Sequence, residues 1–472
     1  MPASSTPARA STRLHALLGV GARRDDRAGT RTEAIIGPCW LRRVGPLLLI
    51  VGSAWAGPLG TVSALTITGD RLLGLAALAV LAVLGVRGRL RWTSVHTALA
   101  VFVAVQVLTT ALNARAWPQG PKFVTIYLLG FSCFALAAEC ARGADGQRRT
   151  TRAWIAVGVI LSVVGTVMGD LSNHYQEPLW GTGEAQSLFP NTEYERVLFG
   201  AKVTFNEWNL FSSFLLIPFS LGLWAWRRDT GGQWRLVGAL GAMIFGLVAG
   251  IMRAAWLSMA GIIALWCRLR RPRARQVAAL GLMYGGALLV QALALGAIPL
   301  WSRLFEQRSN IEHRFAIDRV TVESWLAQPV PGRLGLVLAT QTLLLGHGAG
   351  SVNRLSMVFP RVGRVQRIWN GNLVLFVLHD SGLLGLATLV WLFALVCRRA
   401  APAIRRDAGR AAPSLTVPLL ASGGALCFAY QFTHGLWLMY PYVYLGFLTA
   451  VTETGSDESG RTCGRSGSAP TP

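Results

Sequence analysis

Between residues 44 and 452 the chain alternates long apolar runs with short arginine-bearing polar ones, on the length scale of a lipid bilayer. Apolar runs lie near 44–66, 71–87, 92–112, 122–141, 152–169, 207–226, 235–251, 254–267, 276–298, 372–396, 414–431 and 434–452. A crossing helix needs roughly 20 residues, within about 17 to 25. The pair covering 235–267 is short for two crossings, so one of them is expected to be re-entrant or tilted. The pattern predicts an all-α fold, a polytopic integral membrane protein of about 12 transmembrane helices with one large extracytoplasmic loop. The expected organisation is a disordered cytoplasmic tail over 1–43, transmembrane helices 1–9 over 44–298, the extracytoplasmic loop over 299–371 with short amphipathic helices, transmembrane helices 10–12 over 372–452, and a disordered cytoplasmic tail over 453–472.

Charge gives the expected orientation, because short cytoplasmic loops collect Arg and Lys. Arg87, Arg89 and Arg91 fall in one short loop; Arg142, Arg148, Arg149 and Arg152 fall in another; Arg227, Arg228 and Arg235 fall in a third. Arg268 to Arg275 and Arg398 to Arg410 supply two more clusters. They occupy alternate loops, as an even number of spans with both termini cytoplasmic requires. The 299–371 segment then faces outward. It is also cationic, carrying Arg303, Arg308, Arg314, Arg319, Arg333, Arg354, Arg361, Arg364 and Arg367 against Glu306, Glu312, Asp318 and Glu323. Long loops escape the charge rule.

Composition narrows the class. With 52% hydrophobic and 14% charged residues and a mean hydropathy of +0.44, the chain lies outside the range of soluble domains. A net charge of +23 invites a nucleic-acid reading. Most of that charge sits in the topology-setting loops, where it meets anionic headgroups, so membrane lipids are the expected partners and nucleic acid is not. The terminal segments are polar, and no apolar stretch with a cleavage site precedes the first run. Cys39, Cys133, Cys140, Cys267, Cys397, Cys427 and Cys463 fall on cytoplasmic or intramembrane positions, so no disulfide framework is expected. No metal-ligand spacing stands out.

Three segments carry candidate chemistry. Phe205-Asn206-Glu207-Trp208-Asn209-Leu210-Phe211 opens a helix after an outer loop. Met252-Arg253-Ala254-Ala255-Trp256-Leu257 sits at the tight turn between two helices. Gly346-His347-Gly348-Ala349-Gly350 is followed by Asn372 and then by Asp380-Ser381-Gly382-Leu383-Leu384-Gly385. In this order, with the outward loop between them, they resemble the O-antigen ligase and polymerase family of bacterial envelope glycosyltransferases. Asn209 matches the family's Asn, with Trp208 in place of its Pro. Arg253 matches the Arg of the family's Ser-Arg-Gly-Ala-Trp-Leu. Asn372 matches an Asn, Asp380 stands for a Glu, and Gly371 falls where the family's functional His usually stands. The absence of that His favours a polymerase-like or divergent member over a ligase.

The resemblance implies a metal-independent glycosyltransferase without a cofactor. It would polymerise or ligate oligosaccharide from a polyprenyl-diphosphate-linked donor on the outer face of the cytoplasmic membrane, with a glycan or lipid-linked acceptor and other envelope polysaccharide assembly proteins as partners. The residues point the same way. A lipid diphosphate presents phosphate oxygens that the planar, permanently charged Arg fork binds bidentately. Arg253 is the sharpest candidate, since ionisable residues at the membrane edge are costly and tend to be functional. Arg314 and Arg319 lie in an amphipathic stretch, 311–325, where the family has an Arg upstream of a Trp; Arg319 fits that position slightly better. Asn209 and Asn372 complete the expected substrate-binding set. For the base that takes the acceptor's proton, His347, His313, Glu207 and Asp380 are candidates, with His347, Glu207 and Asp380 the expected catalytic set; His347 lies between glycines that permit close backbone approach, and an ordinary imidazole suits proton transfer near neutral pH. His379 reads as a core or interface histidine. The acidic 170–206 loop is a candidate contact for the acceptor sugar.

Two other classes fit parts of the pattern. A multi-span transporter of a small anionic solute or glycoconjugate shares the even span number, but no repeat between the halves is evident. A polyprenyl-phosphate-sugar mannosyltransferase would want acidic residues in a sizeable first outer loop, which offers only Asp70.

Overall fold

A computed structural model describes residues 39–56, 58–62, 65–86, 90–113, 118–188, 196–226, 233–295, 308–326, 341–359, 364–367, 370–407, 414–433 and 435–463. Helices dominate: α1 Cys39–Ala54, α2 Gly69–Val86, α3 Ser94–Leu112, α4 Gly120–Cys140, α5 Gly143–Tyr175, α6 Trp208–Ala225, α7 Trp234–Ala249, α8 Arg253–Arg270, α9 Ala274–Leu295, α10 Arg308–Leu326, α11 Leu373–Asp407, α12 Thr416–Ala429 and α13 Tyr440–Cys463. Among the described residues, α2, α3, α4, α5, α6, α9 and α11 are long and apolar enough to cross a membrane, and three shorter apolar helices lie at Arg43–Ala54, Trp234–Ala249 and Thr416–Ala429. The described chain is thus a largely helical protein whose apolar helices fit a membrane. Outward-facing Leu282 and Leu293 on α9 are 79% and 76% exposed, a degree of apolar exposure suited to lipid contact.

The core gathers around α6. Every residue from Leu210 to Trp224 is buried, the signature of a helix apolar on all sides. Phe205 and Phe214 pack edge-on against the Tyr440 ring, at centroid separations of 5.9 and 5.5 Å, and Trp154 lies 5.1 Å from Phe214. At this end Ser213 on α6 contacts Met252 ahead of α8, Tyr430 after α12 bonds Tyr440, and the Leu373 amide at the start of α11 donates to the Tyr430 carbonyl. At the other end, Arg142 pairs with Glu139 at 2.5 Å and Arg399 with Glu453 at 3.2 Å.

Several boundaries depart from expectation. The first apolar run is not one helix over 44–66: α1 begins at Cys39 and ends at Ala54, and β1 (Pro58–Val62) pairs antiparallel with β2 (Leu65–Thr68). Gly57-Pro58 accounts for the break, since proline removes a helix donor and restricts the residue before it. Helix α5 begins at Gly143, so Arg148, Arg149 and Arg152 lie on the helix and not in a loop, and it continues past 169 to Tyr175, where the Asn173 side chain donates to the Phe199 carbonyl at 3.0 Å and accepts from the Phe199 amide at 2.9 Å. That contact anchors β4 (Arg196–Ala201), which pairs with β3 (Thr182–Leu188). The last helix starts later than 434, at Tyr440, with Pro441 in its first turn where a missing N–H costs nothing, and it continues to Cys463, so helix replaces the expected tail over 453–463. Residues 1–38 and 464–472 lie outside the described residues.

Within the expected 299–371 loop the described residues form α10, a short helical turn at 341–345, a 3-10 turn at Ser351–Arg354 and the hairpin of β5 (Ser356–Phe359) with β6 (Arg364–Arg367). Helix α11 is broken at Gly382, whose φ is +62° and ψ −162°.

Candidate functional site

Two polar groups lie at the α10 end, and α10 touches both. Its inward stripe is Arg314, Asp318, Thr321 and Ser324, spaced to share one face of a helix. Arg314 donates to the Phe432 carbonyl, Asn370 donates to Thr321 at 2.8 Å, and Ser324 contacts His379 Nε2 at 3.3 Å. Ten residues separate Arg314 from Ser324, about 15 Å at 1.5 Å per residue. The two groups are therefore separate places.

The first group is charged. Glu207 precedes α6 as its N-cap residue, without a capping hydrogen bond. Its carboxylate accepts from the Thr433 hydroxyl at 3.5 Å, a long contact. Burial raises its pKa above the usual Glu range, opposed by the Thr433 bond and the Arg314 charge. Arg314 is pushed below the usual Arg range, first by burial and next by the positive charge of Arg253, with Asp318 and Glu207 opposing; it stays protonated at physiological pH. Burial likewise raises Asp318, against its bond to Asn370 and the Arg314 charge. Arg253 is the first residue of α8, after a turn in which Ile251 takes a left-handed φ of +54°. Its N-cap, Met252, supplies no side-chain bond. Arg253 is half-buried, and its side chain makes no hydrogen bond or ion pair with any described residue. Two neighbouring guanidinium groups beside an uncapped helix N-terminus form an anion-binding arrangement, since the helix dipole adds partial positive charge there.

The second group is the Gly-His-Gly-Ala-Gly turn locked into the break in α11. Gly346, at φ +66°, caps the 341–345 turn by donating to the Thr342 carbonyl at 2.7 Å. A Cβ on Gly346 would lie 2.6 Å from the backbone of Asp380 and Ser381, and one on Gly382 would strike the Leu344 carbonyl. The break frees carbonyls that a membrane interior cannot leave unpaired. The His347 amide takes the His379 carbonyl at 3.0 Å, and the Gly348 amide takes that of Asp380 at 2.8 Å. The Asp380 carboxylate accepts from the Gly350 amide at 2.5 Å, the Ser351 hydroxyl at 3.0 Å and the Val352 amide at 3.2 Å. Ser381 accepts from Gln106 on α3 at 2.8 Å. His379 is buried, its Nδ1 3.1 Å from the Ser351 hydroxyl, as a core histidine would be. The His347 ring lies against that of His379, 4.7 Å between centroids. Burial first, then His379 and Arg354, push its pKa down to about 4. Its Nε2 is buried without a hydrogen-bond partner.

The expected residues thus fall into different settings. Glu207, Arg253 and Arg314 come together from three distant segments. Arg319 does not join them: it is 81% exposed and paired with Glu323 at 2.6 Å, one turn along the outer face of α10. Asn372 caps α11, accepting from the amides of Val374 and Leu375 at 3.1 and 3.2 Å, which gives it a local structural role. Asn209 stands at the start of α6 beside Glu207, and its carbonyl accepts from Ser213 at 2.8 Å. Asp380 is fully buried and its carboxylate is occupied, so it positions the turn. Gly371 lies against the chain at 432–433: a Cβ there would collide with the Phe432 carbonyl that Arg314 holds. Sequence reasoning passed over Asp318, Asn370 and Thr433; Asp318, four residues after Arg314, had the one readable signal, an i,i+4 charge pair. In the acidic 170–206 loop, Asp170 accepts from Gln291 at 2.6 Å, while Glu193 lies outside the described residues. Among the described residues no three His, Cys, Asp or Glu side chains converge as a metal site would need.

An apolar cavity of about 380 Å³ runs between α3, α11, α12 and α13, within the size range of ligand pockets. Leu373, Tyr430, Leu436 and Pro441 line one part of it, and Leu392, Val396 and Leu448 another. Tyr430 and Leu436 flank in sequence the Phe432 and Thr433 that contact Arg314 and Glu207.

These features describe a helical membrane protein with a cationic site at one end of its bundle. Neither a protein-family model nor a curated protein matches the chain.

Proposed function

We propose that this chain is a membrane glycosyltransferase of the O-antigen ligase and polymerase type, acting on a polyprenyl-diphosphate-linked oligosaccharide at the outer face of the cytoplasmic membrane. The observation that carries the reading is Arg253: a half-buried guanidinium, facing a second one on Arg314, with no partner among the described residues. An unpaired charge in such surroundings is costly, and an anionic ligand removes the cost. Bidentate contacts to the diphosphate would bind the donor and stabilise charge on the leaving group. The apolar cavity lined by Tyr430 and Leu436 suits part of an isoprenoid chain whose head group would sit at the arginines. The three motifs add the family resemblance. In this reading about 12 spans place both termini in the cytoplasm, the acceptor is a glycan or a lipid-linked glycan, and other envelope polysaccharide assembly proteins supply the donor.

A transporter is the second reading, and the break in α11 is what favours it, because discontinuous helices often carry ion sites. Here the carbonyls of His379 and Asp380 at the break are taken by the amides of His347 and Gly348. That leaves little for an ion and gives the transferase the greater support.

The test is purified protein in nanodiscs, incubated with the radiolabelled lipid-linked oligosaccharide pool of its own host. The reading expects free polyprenyl diphosphate and longer or transferred glycans with wild type and with Arg319→Ala, and their loss with Arg253→Ala. Intact donor with folded wild-type protein rejects it.

A further inference from the structure

We propose that Glu207 accepts the proton of the acceptor hydroxyl, in place of the histidine that the family has at the position of Gly371; this rests on the transferase reading above. Three observations carry it. Position 371 has no room for a side chain, because a Cβ there meets the Phe432 carbonyl, the same oxygen that Arg314 holds. A histidine at 371 and the present seat of Arg314 are mutually exclusive. Second, two other candidate bases are in the wrong place, and the side chain of His313, next to Arg314 in sequence, lies outside the described residues. Asp380 is fully occupied by the turn, and His347 belongs to the group set about 15 Å away along α10, whereas a base must come within hydrogen-bond reach of a hydroxyl that is itself within about 3.5 Å of the sugar carbon. Third, Glu207 is an acid beside Arg314 whose carboxylate takes, among the described residues, only the long hydrogen bond from Thr433, so it keeps acceptor capacity for a substrate.

The groups that face Glu207 are Thr433 in the turn after α12 and Arg314 on α10, and Arg314 in turn has Asp318 on α10 and Arg253 on α8 as its charged neighbours. The acceptor oxygen forms its bond to the anomeric carbon while the bond from that carbon to the diphosphate oxygen breaks. The electron pair leaves with the diphosphate between Arg253 and Arg314, and the hydroxyl proton moves to a Glu207 carboxylate oxygen and then to water. Burial, which raises Glu207 above the ordinary carboxylate range, makes it a better base once ionised.

The sign for stability follows from the same shift. A carboxyl raised in the folded state contributes most below its unfolded value, 4.5, and that contribution is lost as pH rises through the folded value. Glu207→Gln is therefore expected to unfold at a higher temperature than wild type at pH 7, with the difference closing below pH 4.5.

The experiment measures two quantities in nanodiscs: binding of radiolabelled undecaprenyl diphosphate, and turnover of the host's lipid-linked oligosaccharide pool across pH. Glu207→Gln is expected to lower kcat about 10²- to 10⁴-fold while leaving undecaprenyl diphosphate binding within about twofold, and to remove the acid limb of the wild-type pH profile. Glu207→Asp should restore part of kcat with the limb shifted to lower pH. Wild-type kcat and an unchanged acid limb in Glu207→Gln overturn the proposal and leave the transferase reading standing. A parallel loss of binding and turnover overturns it too, by making Glu207 a structural partner of the arginines. If the Gln variant does not fold, a limb that Glu207→Asp fails to move overturns it. Absence of turnover by folded wild type rejects the transferase reading itself.

Discussion

The charged group at Glu207, Arg253 and Arg314 and the turn at Asp380 are both polar, both buried in part and both touched by α10, yet their hydrogen-bonding capacity is spent in opposite ways. At the turn, one carboxylate takes three donors and two freed carbonyls take two amides. At the charged group, two arginines share a space in which one has a single carbonyl and the other has no partner among the described residues. Buried polar networks that are satisfied fix a conformation. The turn keeps an exception in the buried His347 Nε2, whereas the open groups at the charged end are guanidinium donors suited to an anion. The comparison gives Asp380 in the third sequence motif an architectural place, and ligand binding at the first two is the reading proposed above.

Breaking the satisfied side should have the largest effect. Asp380→Ala strands two amides and a hydroxyl, each worth about 1–3 kcal/mol when left unpaired, so a loss of about 3–6 kcal/mol is expected in thermal or denaturant unfolding in nanodiscs. Unchanged stability with abolished turnover would instead place Asp380 on substrate. On the open side, Arg253→Ala should leave stability near wild type and weaken undecaprenyl diphosphate binding about 10- to 100-fold, as expected for charge-assisted hydrogen bonds of about 1.5–3 kcal/mol. Gly371→Ala tests how the two sides meet. Its methyl displaces the 432–433 chain at a cost of about 1–3 kcal/mol, and binding should fall with it because Arg314 loses its seat; full binding would show that the Phe432 carbonyl is dispensable. The smallest effect belongs to Arg319→Ala, an exposed ion pair whose loss should change stability by less than about 1 kcal/mol and binding not at all.

Much of the helical framework was legible, because hydrophobic runs of bilayer length leave the backbone few alternatives. The described parts of the apolar runs from 71–87 to 414–431 are helical, with ends a few residues from expectation except where α5 spans Gly143–Tyr175 and α11 runs on to Asp407. The hairpins were not legible: β1 and β2 continue the apolar character of α1, so only Gly57-Pro58 marked the change. Nor could the sequence choose between Arg314 and Arg319. Five positions apart, they lie about 140° from one another around a helix, so only one could face the bundle, and the inward stripe of α10 is polar where hydrophobic periodicity would look for an apolar one. Phe315, 68% exposed, faces out instead. Asp380 misled for a different reason: a motif gives the residue's identity, whereas its role depended on backbone donors from Gly350 to Val352 that arrive only when the turn folds into the break at Gly382.

The most direct test of the account is undecaprenyl diphosphate binding to Arg253→Ala and Arg319→Ala side by side, in nanodiscs and at fixed ionic strength. The account predicts wild-type affinity for Arg319→Ala and a loss of about 10- to 100-fold for Arg253→Ala at unchanged unfolding temperature. Equal affinity in the two variants would contradict it.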